Sequence, residues 1–221
     1  MAPIKRGGRP GPKGYLFEIT GGAPCLDLAN TVDNRPTEER REMLATYKDL
    51  VDWGRQSGTI SAGTAAELLK VARLRPQAAE SALRRARAVR EAIFDLFSAL
   101  VAGRATPPRA LRVLNRALER ALSHLRLEQQ DGELAWSWDM RRAPLDRVLW
   151  PAVRSAAELA SQEERIRVRE CAAASCSWLF LDRSKNGSRR WCDMTVCGNR
   201  AKASRYYARR RLGRKTARRA V

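Results

Sequence analysis

The sequence predicts a mainly α protein with a small β-hairpin, an α+β fold, and three observations support this prediction. Apolar residues recur at three- and four-residue spacing through most of residues 15–164, which is the pattern of amphipathic helices. The period changes to two on either side of Asp131-Gly132, which is typical of a hairpin. Four cysteines then lie in two close pairs between Cys171 and Cys197, which indicates a small unit organised by a metal ion.

The first segment, residues 1–14, is rich in glycine, proline and basic residues. Because it offers little to pack, we predict a disordered basic arm there. Residues 15–20 are predicted to form a short strand. Residues 25–32 are predicted to form a short helix with an apolar inner face.

The longer helices are predicted from the spacing of their apolar residues. The longest begins at Pro76, a residue that fits the first turn of a helix. Its arginines, Arg90 among them, are interspersed with glutamates, and we interpret this charge run as a solvent-exposed helix face. The predicted helices span residues 44–56, 61–75, 76–102, 109–122 and 146–162.

Two further segments alternate with the period of a strand. A hairpin is predicted near residues 125–138, and Trp136 and Trp138, which share one face, are expected to cover the helices. In residues 164–170, apolar side chains alternate strictly with arginines, which predicts a strand that leads directly into Cys171. We therefore expect a helical domain over residues 15–164 that no flexible linker separates from the cysteine segment.

The four cysteines, Cys171, Cys176, Cys192 and Cys197, have the spacing C-x4-C-x15-C-x4-C. Two close pairs joined by a short insert suit one tetrahedral zinc ion, and four thiolates leave no open position for chemistry, so the site is expected to be structural. Two disulfides or an iron–sulfur cluster are the alternatives. The N-terminus lacks the apolar stretch of a signal peptide, which favours a reducing, cytoplasmic compartment in which thiols persist.

The insert between the cysteine pairs predicts a second hairpin, in which Trp178–Leu181 forms a strand, Asn186-Gly187 a turn, and residues 189–191 the return. After the last cysteine, residues 199–212 favour a helix with Asn199 as its N-cap. Knuckle, hairpin and helix together make a treble-clef-like zinc finger over residues 165–212, with a basic tail over 213–221.

The net charge of +19 is concentrated near the C-terminus, where residues 165–221 hold 17 Lys and Arg against 3 Asp and Glu. A basic region of this density is the electrostatic footprint of a nucleic-acid-binding protein, although a membrane surface or ribosomal RNA would also suit it. No run approaches about 18 consecutive apolar residues, so no membrane-spanning helix is expected. Residues 15–164 contain no nucleophile–base pair, phosphate-binding glycine loop or second metal motif, so the protein is not expected to be an enzyme.

The cysteine segment resembles the CGNR zinc fingers. The tetrapeptide that gives these fingers their name is present here as Cys197-Gly198-Asn199-Arg200. The segment Gly22–Thr31 resembles the opening motif of ABATE, a domain that accompanies this finger and is associated with stress-induced transcription regulation. The resemblance implies a DNA-binding regulator in the bacterial nucleoid. It also suggests a ligand pocket lined by Asp27, Asn30, Thr31 and Arg35; alternatively, these residues cap the helix and fix the following loop.

The finger and its helix carry the residues expected to contact duplex DNA. The first turn of a recognition helix often approaches base edges, and the arginines farther along the helix would contact phosphates. Arginines close to the sulfur atoms could instead offset their negative charge. The candidates are Arg189, Arg190, Asn199, Arg200, Lys202, Arg205, Arg209 and Arg210.

Other partners and functions stay open at this point. Dimerisation through the helical domain would raise specificity, and a small-molecule effector would fit a sensor domain. Two alternative functions remain. The protein could be associated with RNA or the ribosome, or the N-terminal domain could bind a small molecule or be an enzyme that the finger targets to its site of action.

Overall fold

The computed structural model describes residues 8–11, 14–139, 144–203 and 206–207. Helices dominate this part of the chain, as the sequence predicts. Thr46 and Asp49 form a reciprocal capping box at the start of the second helix. Proline stands in the first turn of four of the helices, where its missing N–H costs nothing. The α-helices are Pro24–Ala29 (α1), Tyr47–Gln56 (α2), Ala62–Leu74 (α3), Pro76–Val101 (α4), Pro108–Leu122 (α5) and Trp150–Ser161 (α6).

The strands of the described part form four two-stranded antiparallel pairs. The pair around Asp131-Gly132 is the predicted hairpin, and both turn residues have positive φ. The pairs are Arg9–Gly11 (β1) with Gly14–Leu16 (β2), Val32–Asp33 (β3) with Arg41–Glu42 (β4), Leu125–Gln130 (β5) with Glu133–Trp138 (β6), and Val168–Glu170 (β7) with Leu179–Leu181 (β8).

The core lies between the helices, with α4 at its centre. This helix packs against α1, α2, α3, α5 and α6, so its apolar residues face in several directions. Trp53, Ile93 and Phe97 are fully buried there. Leu179 and Leu181 of β8 belong to the same core, so the cysteine segment packs directly on the helices. No helix in the described part combines the length and apolar character needed to cross a bilayer.

Several boundaries differ from those predicted. Residues 9–11, expected in a disordered arm, pair with residues 14–16. The helix expected over 146–162 begins as a 3-10 turn, Leu145–Leu149, because Pro151 has no N–H to continue an α-helical ladder into that turn. The strand expected over 164–170 is a 3-10 turn, Glu163–Arg167, followed by β7.

Two side chains lie where the sequence interpretation did not place them. Trp138 does cover the helices, with its ring 5.4 Å from that of Trp150, but Trp136 is 60% exposed. Arg90, expected on a solvent-exposed face, is 2% exposed. It donates to both carboxylate oxygens of Glu42 at 2.5 and 2.7 Å and to Glu91 at 2.9 Å. This pairing explains how a charge can be buried inside an apolar stripe.

The cluster of Arg90 with Glu42 and Glu91 should make the free energy of unfolding sensitive to acid. Burial alone would raise the pKa of Glu42 and of Glu91, but hydrogen bonds and charge from Arg90 and Arg35 outweigh it and hold both pKa values below the ordinary 4.5. A lowered carboxyl pKa adds stability above the ordinary value, and this stability is lost as the pH falls through the folded-state pKa.

We therefore expect the free energy of unfolding of the wild type to fall more steeply below pH 4.5 than that of Glu42→Gln. Urea unfolding at a series of pH values measures the two slopes. Glu80→Gln, at the exposed Glu80–Arg84 pair of α4, the helix that also carries Arg90, is the control for loss of a carboxylate. Parallel curves for the wild type and Glu42→Gln would contradict the assignment.

Candidate metal centre and the surface around it

The four cysteine sulfur atoms converge at one buried point. All four lie within 4.8 Å of one another, and none of the cysteines is more than 5% exposed. The Sγ–Sγ distances are 3.4 Å for Cys171–Cys197, 3.7 Å for Cys176–Cys192 and 3.9 Å for Cys192–Cys197. A zinc ion with Zn–S bonds of about 2.3 Å in a tetrahedron would separate its sulfur ligands by about 3.8 Å. The arrangement therefore fits zinc.

The first pair of cysteines is held by a knuckle at the end of β7 and β8. Their register sets Glu170 opposite Leu179, and the Cys171 N–H donates to Trp178 O at 2.8 Å to close the loop. Ser177 has a φ of 59°, which lets the Trp178 N–H donate to Cys176 Sγ at 3.2 Å. A backbone N–H of this kind stabilises a thiolate ligand.

The second pair is held by a π-helical turn, Met194–Gly198. Asp193 caps this turn by accepting from the Val196 N–H at 2.9 Å, and the Cys197 N–H donates to Asp193 O at 3.0 Å. Asp193, not Asn199, is thus the N-cap; Asn199 already has helical φ and ψ. A Cβ at Gly198 would lie 2.9 Å from Met194 Sδ, so a larger residue there would need the exposed Met194 side chain to move.

The first strand of the hairpin predicted inside the insert, β8, pairs with a different segment from the one expected. β8 pairs with β7, and residues 189–191 are not in a strand. The return segment is attached by the Ala172 N–H, which donates to Arg190 O at 2.9 Å, and by Asp182, which accepts from the Arg189 N–H at 2.8 Å. The antiparallel pair beside the cysteines is present, but β7 supplies its second strand.

The cysteine segment is bonded to the helices through side chains that the sequence did not mark for this role. Asn30 donates to Leu179 O at 2.8 Å and accepts from the Leu179 N–H at 2.9 Å. The Trp178 indole N–H donates to Val32 O at 2.9 Å. Met43 packs in the same buried cluster as the four cysteines.

Comparison with protein families agrees with this architecture. Residues 22–163 match the model of ABATE, described as "Putative stress-induced transcription regulator", and residues 167–210 match the CGNR zinc finger. The chain belongs to the ABATE family and carries a CGNR zinc finger after the ABATE region. A comparison with curated proteins found no match. The CGNR finger and its four converging cysteines hold one structural zinc ion, which leaves no ligand position for a substrate.

Of the four residues proposed as a ligand pocket, only Asn30 bonds to the CGNR finger, and the other three bond within the ABATE region. Asp27 accepts from the Gly21 N–H at 2.7 Å, and burial raises its pKa to about 6. Thr31 donates to Leu28 O at 2.7 Å. Arg35 donates to Ala29 O at 2.9 Å and pairs with Glu91. With Asn30 bonded to Leu179, these contacts match the alternative in which they cap the helix and fix the loop; the pocket stays a prediction.

The described DNA-contact candidates of the CGNR finger divide into two groups. Arg189 donates to Trp191 O at 2.8 Å and to Cys192 O and lies over the Phe180 ring, so it supports the finger itself. Arg190, Asn199, Arg200 and Lys202 are exposed. Arg205, Arg209 and Arg210 lie outside the described residues.

Two of the exposed candidates, Arg190 and Arg200, border a groove on the CGNR finger. The groove has a volume of about 350 Å³ and lies between residues 172–175 and the segment 200–201, with Arg190 and Trp191 in its wall. Arg200 donates to Ser175 Oγ at 3.1 Å, which fixes its guanidinium at the edge. We call this feature the finger groove.

Proposed function

We propose that the chain is a zinc-dependent, DNA-binding transcription regulator of the bacterial cytoplasm, in which the ABATE region, residues 15–164, senses a stress signal or ligand. The proposal assigns DNA binding to the finger over residues 165–212 and added phosphate contacts to the tail over 213–221. The observation that carries it is the convergence of Arg190 and Arg200 on the finger groove.

The charge around Arg200 decides which side of the finger nucleic acid would use. A second hollow that also includes Arg200 is lined by three carboxylates, Asp33, Glu38 and Glu39, against two arginines, Arg41 and Arg200, so it is less favourable to phosphate. The finger groove has no carboxylate among its lining residues. Phosphates would therefore follow the Arg190 side.

The zinc ion supports this surface without taking part in binding. Four thiolates on a divalent ion leave a negative local charge, which Arg189 offsets through the carbonyls of Trp191 and Cys192. Arg200 is bonded instead to Ser175, and the Arg190 guanidinium lies 5.6 Å from the centre of the Trp191 ring. Their charges remain available to phosphate.

One observation favours RNA as a second candidate partner. Trp191 is a flat aromatic surface in the wall of the groove, with Arg190 against its ring. Unpaired bases stack on such surfaces, with about 1–3 kcal/mol per base. Single-stranded RNA that outcompetes duplex DNA of the same length would favour this candidate.

Arg190→Gln and Arg200→Gln are each expected to weaken binding to duplex DNA roughly eightfold at about 0.1 M salt, because each loses one phosphate contact. Each should also reduce the slope of log K against log salt by about 1. Fluorescence anisotropy with a random duplex library over a salt series measures both quantities, with zinc content checked for each variant.

Arg183→Gln is the matched control, since Arg183 is exposed on the same finger but does not line the groove. If it weakens binding as much as Arg190→Gln, the groove is not the binding surface.

The proposal also includes a homodimer, which would double the phosphate contacts. Light scattering of the DNA complex measures its mass. A mass equal to one chain plus one duplex would contradict the dimer.

A further inference from the structure

A cavity in the ABATE region shares no lining residue with the finger groove. It occupies about 250 Å³ between α4, α5 and α6. Its walls are mainly apolar, formed by Ala88, Val89, Val113, Ala117, Leu149 and Val153. A cavity of about 150 Å³ already holds benzene in a protein core, so this one can take an aromatic ring with a short chain.

The mouth of the cavity carries a surplus of positive charge. Arg85, Arg116 and Arg120 line it, against a single lining carboxylate, Asp146. Asp146 is 7% exposed and is shared by Arg120, at 3.1 Å, and Arg85, at 3.5 Å. One carboxylate cannot neutralise three guanidiniums, so the mouth attracts an anion.

A buried tryptophan forms part of the cavity wall. Trp150 is 3% exposed, and its indole N–H has no hydrogen-bond partner in the part of the chain that the structure describes. The Trp150 ring is fixed by stacking on His124, with centroids 4.4 Å apart. The ring is therefore a rigid aromatic part of the wall; its N–H is not assigned to the ligand, because Trp150 also lines a second hollow beside Thr64 and Arg147.

We propose that this cavity binds a small amphipathic organic anion, an aromatic or branched aliphatic carboxylate. The hydrocarbon body fills the apolar cavity and the carboxylate pairs with Arg116 and Arg120. An inorganic phosphate would leave the apolar walls unfilled. This proposal places an effector site in this cavity, apart from the pocket predicted at the four polar residues in and after α1.

The cavity has a short structural route to the finger. α4, which forms one wall, packs against β7 and β8. Ser98 of α4 donates to Glu170 at 2.8 Å, next to the ligand Cys171. A ligand that shifts α4 would therefore act on the strand pair that carries the zinc knuckle. This regulatory role rests on the proposed function; the binding itself does not.

The test is isothermal titration calorimetry of the full-length, zinc-loaded protein with 3-phenylpropionate, and with 3-phenylpropan-1-ol as the uncharged match. We expect the acid to bind at least tenfold more tightly than the alcohol. Arg116→Gln should remove this preference, and Arg112→Gln, an exposed arginine one turn away that does not line the cavity, should keep it.

Ala88→Phe gives a second, independent test. Ala88 is exposed at the cavity mouth, so the larger side chain can fill the mouth without disturbing the core. It should abolish binding of both probes. Equal affinity of acid and alcohol, undiminished binding to Ala88→Phe, or no binding at millimolar concentration would each overturn the site.

The same samples separate this inference from the proposed function. Anisotropy with duplex DNA is measured with and without 3-phenylpropionate. DNA binding without any binding of the acid would overturn the cavity site alone. Binding of the acid with no DNA binding would overturn the proposed function alone and leave the cavity site supported.

Discussion

Cys176→Ser is expected to abolish stoichiometric zinc binding and to unfold the finger. A serine hydroxyl does not ionise near neutral pH and cannot replace a thiolate in a closed four-sulfur site. Apparent binding free energies for structural zinc are about 10–16 kcal/mol, as large as the whole stability of a typical domain. Mass spectrometry of metal content should fall from about one zinc per chain to near zero, and near-ultraviolet circular dichroism should lose the signal of Trp178.

The effect should spread into the ABATE region, because the finger is part of the same packed structure. Trp178 donates to Val32 O, and Leu179 and Leu181 lie in the helical core. Loss of the finger exposes these residues to water, so the thermal unfolding temperature of the remaining helices should also fall. A chelator added to the wild type should reproduce both changes.

Cys25→Ala is the matched control for loss of a cysteine. Cys25 is fully buried in α1, and burial raises its pKa to about 12, so it remains a thiol. This variant should keep about one zinc per chain. Retention of one zinc by Cys176→Ser, or its loss in Cys25→Ala, would contradict the assignment of the four ligands.

The features that the sequence predicts well are those set by local patterns. Cysteine spacing and turn residues determine that the four thiolates can meet, and they do meet. Apolar spacing places α4 within one residue of its observed end at Val101. Both signals lie within a few tens of residues, so the sequence shows them directly.

The features that it does not predict depend on distant partners. Arg90 has the pattern of a surface charge, and its burial depends on the approach of Glu42, 48 residues away, in addition to the adjacent Glu91. β8 has two candidate partners of similar strand character, and packing of Leu179 and Leu181 on the helices selects β7. Asn30 faces an amide 149 residues away, and no local signal distinguishes it from a capping residue.

Asn30→Ala is expected to destabilise the zinc-loaded protein by about 2–5 kcal/mol. Both hydrogen bonds of the Asn30 amide are buried, and its removal leaves the N–H and the C=O of Leu179 without their partner. Each buried backbone group left unbonded costs about 1–3 kcal/mol. Urea unfolding measures the change. Asn115→Ala, on the exposed face of α5, is the control and should change stability by no more than about 0.5 kcal/mol.

The Asn30 variant also tests whether the two parts of the chain communicate. Asn30 does not touch the metal, so Asn30→Ala should keep one zinc per chain; yet zinc should be lost to a competing chelator more readily, because the knuckle strand has lost its support. Unchanged zinc affinity together with lowered stability would mean that the helices hold the finger without influencing its metal site. Weakened zinc affinity would establish that the contact between Asn30 and the finger is energetically coupled to zinc binding. A signal that passes from the ABATE region to a DNA-binding surface requires coupling of this kind.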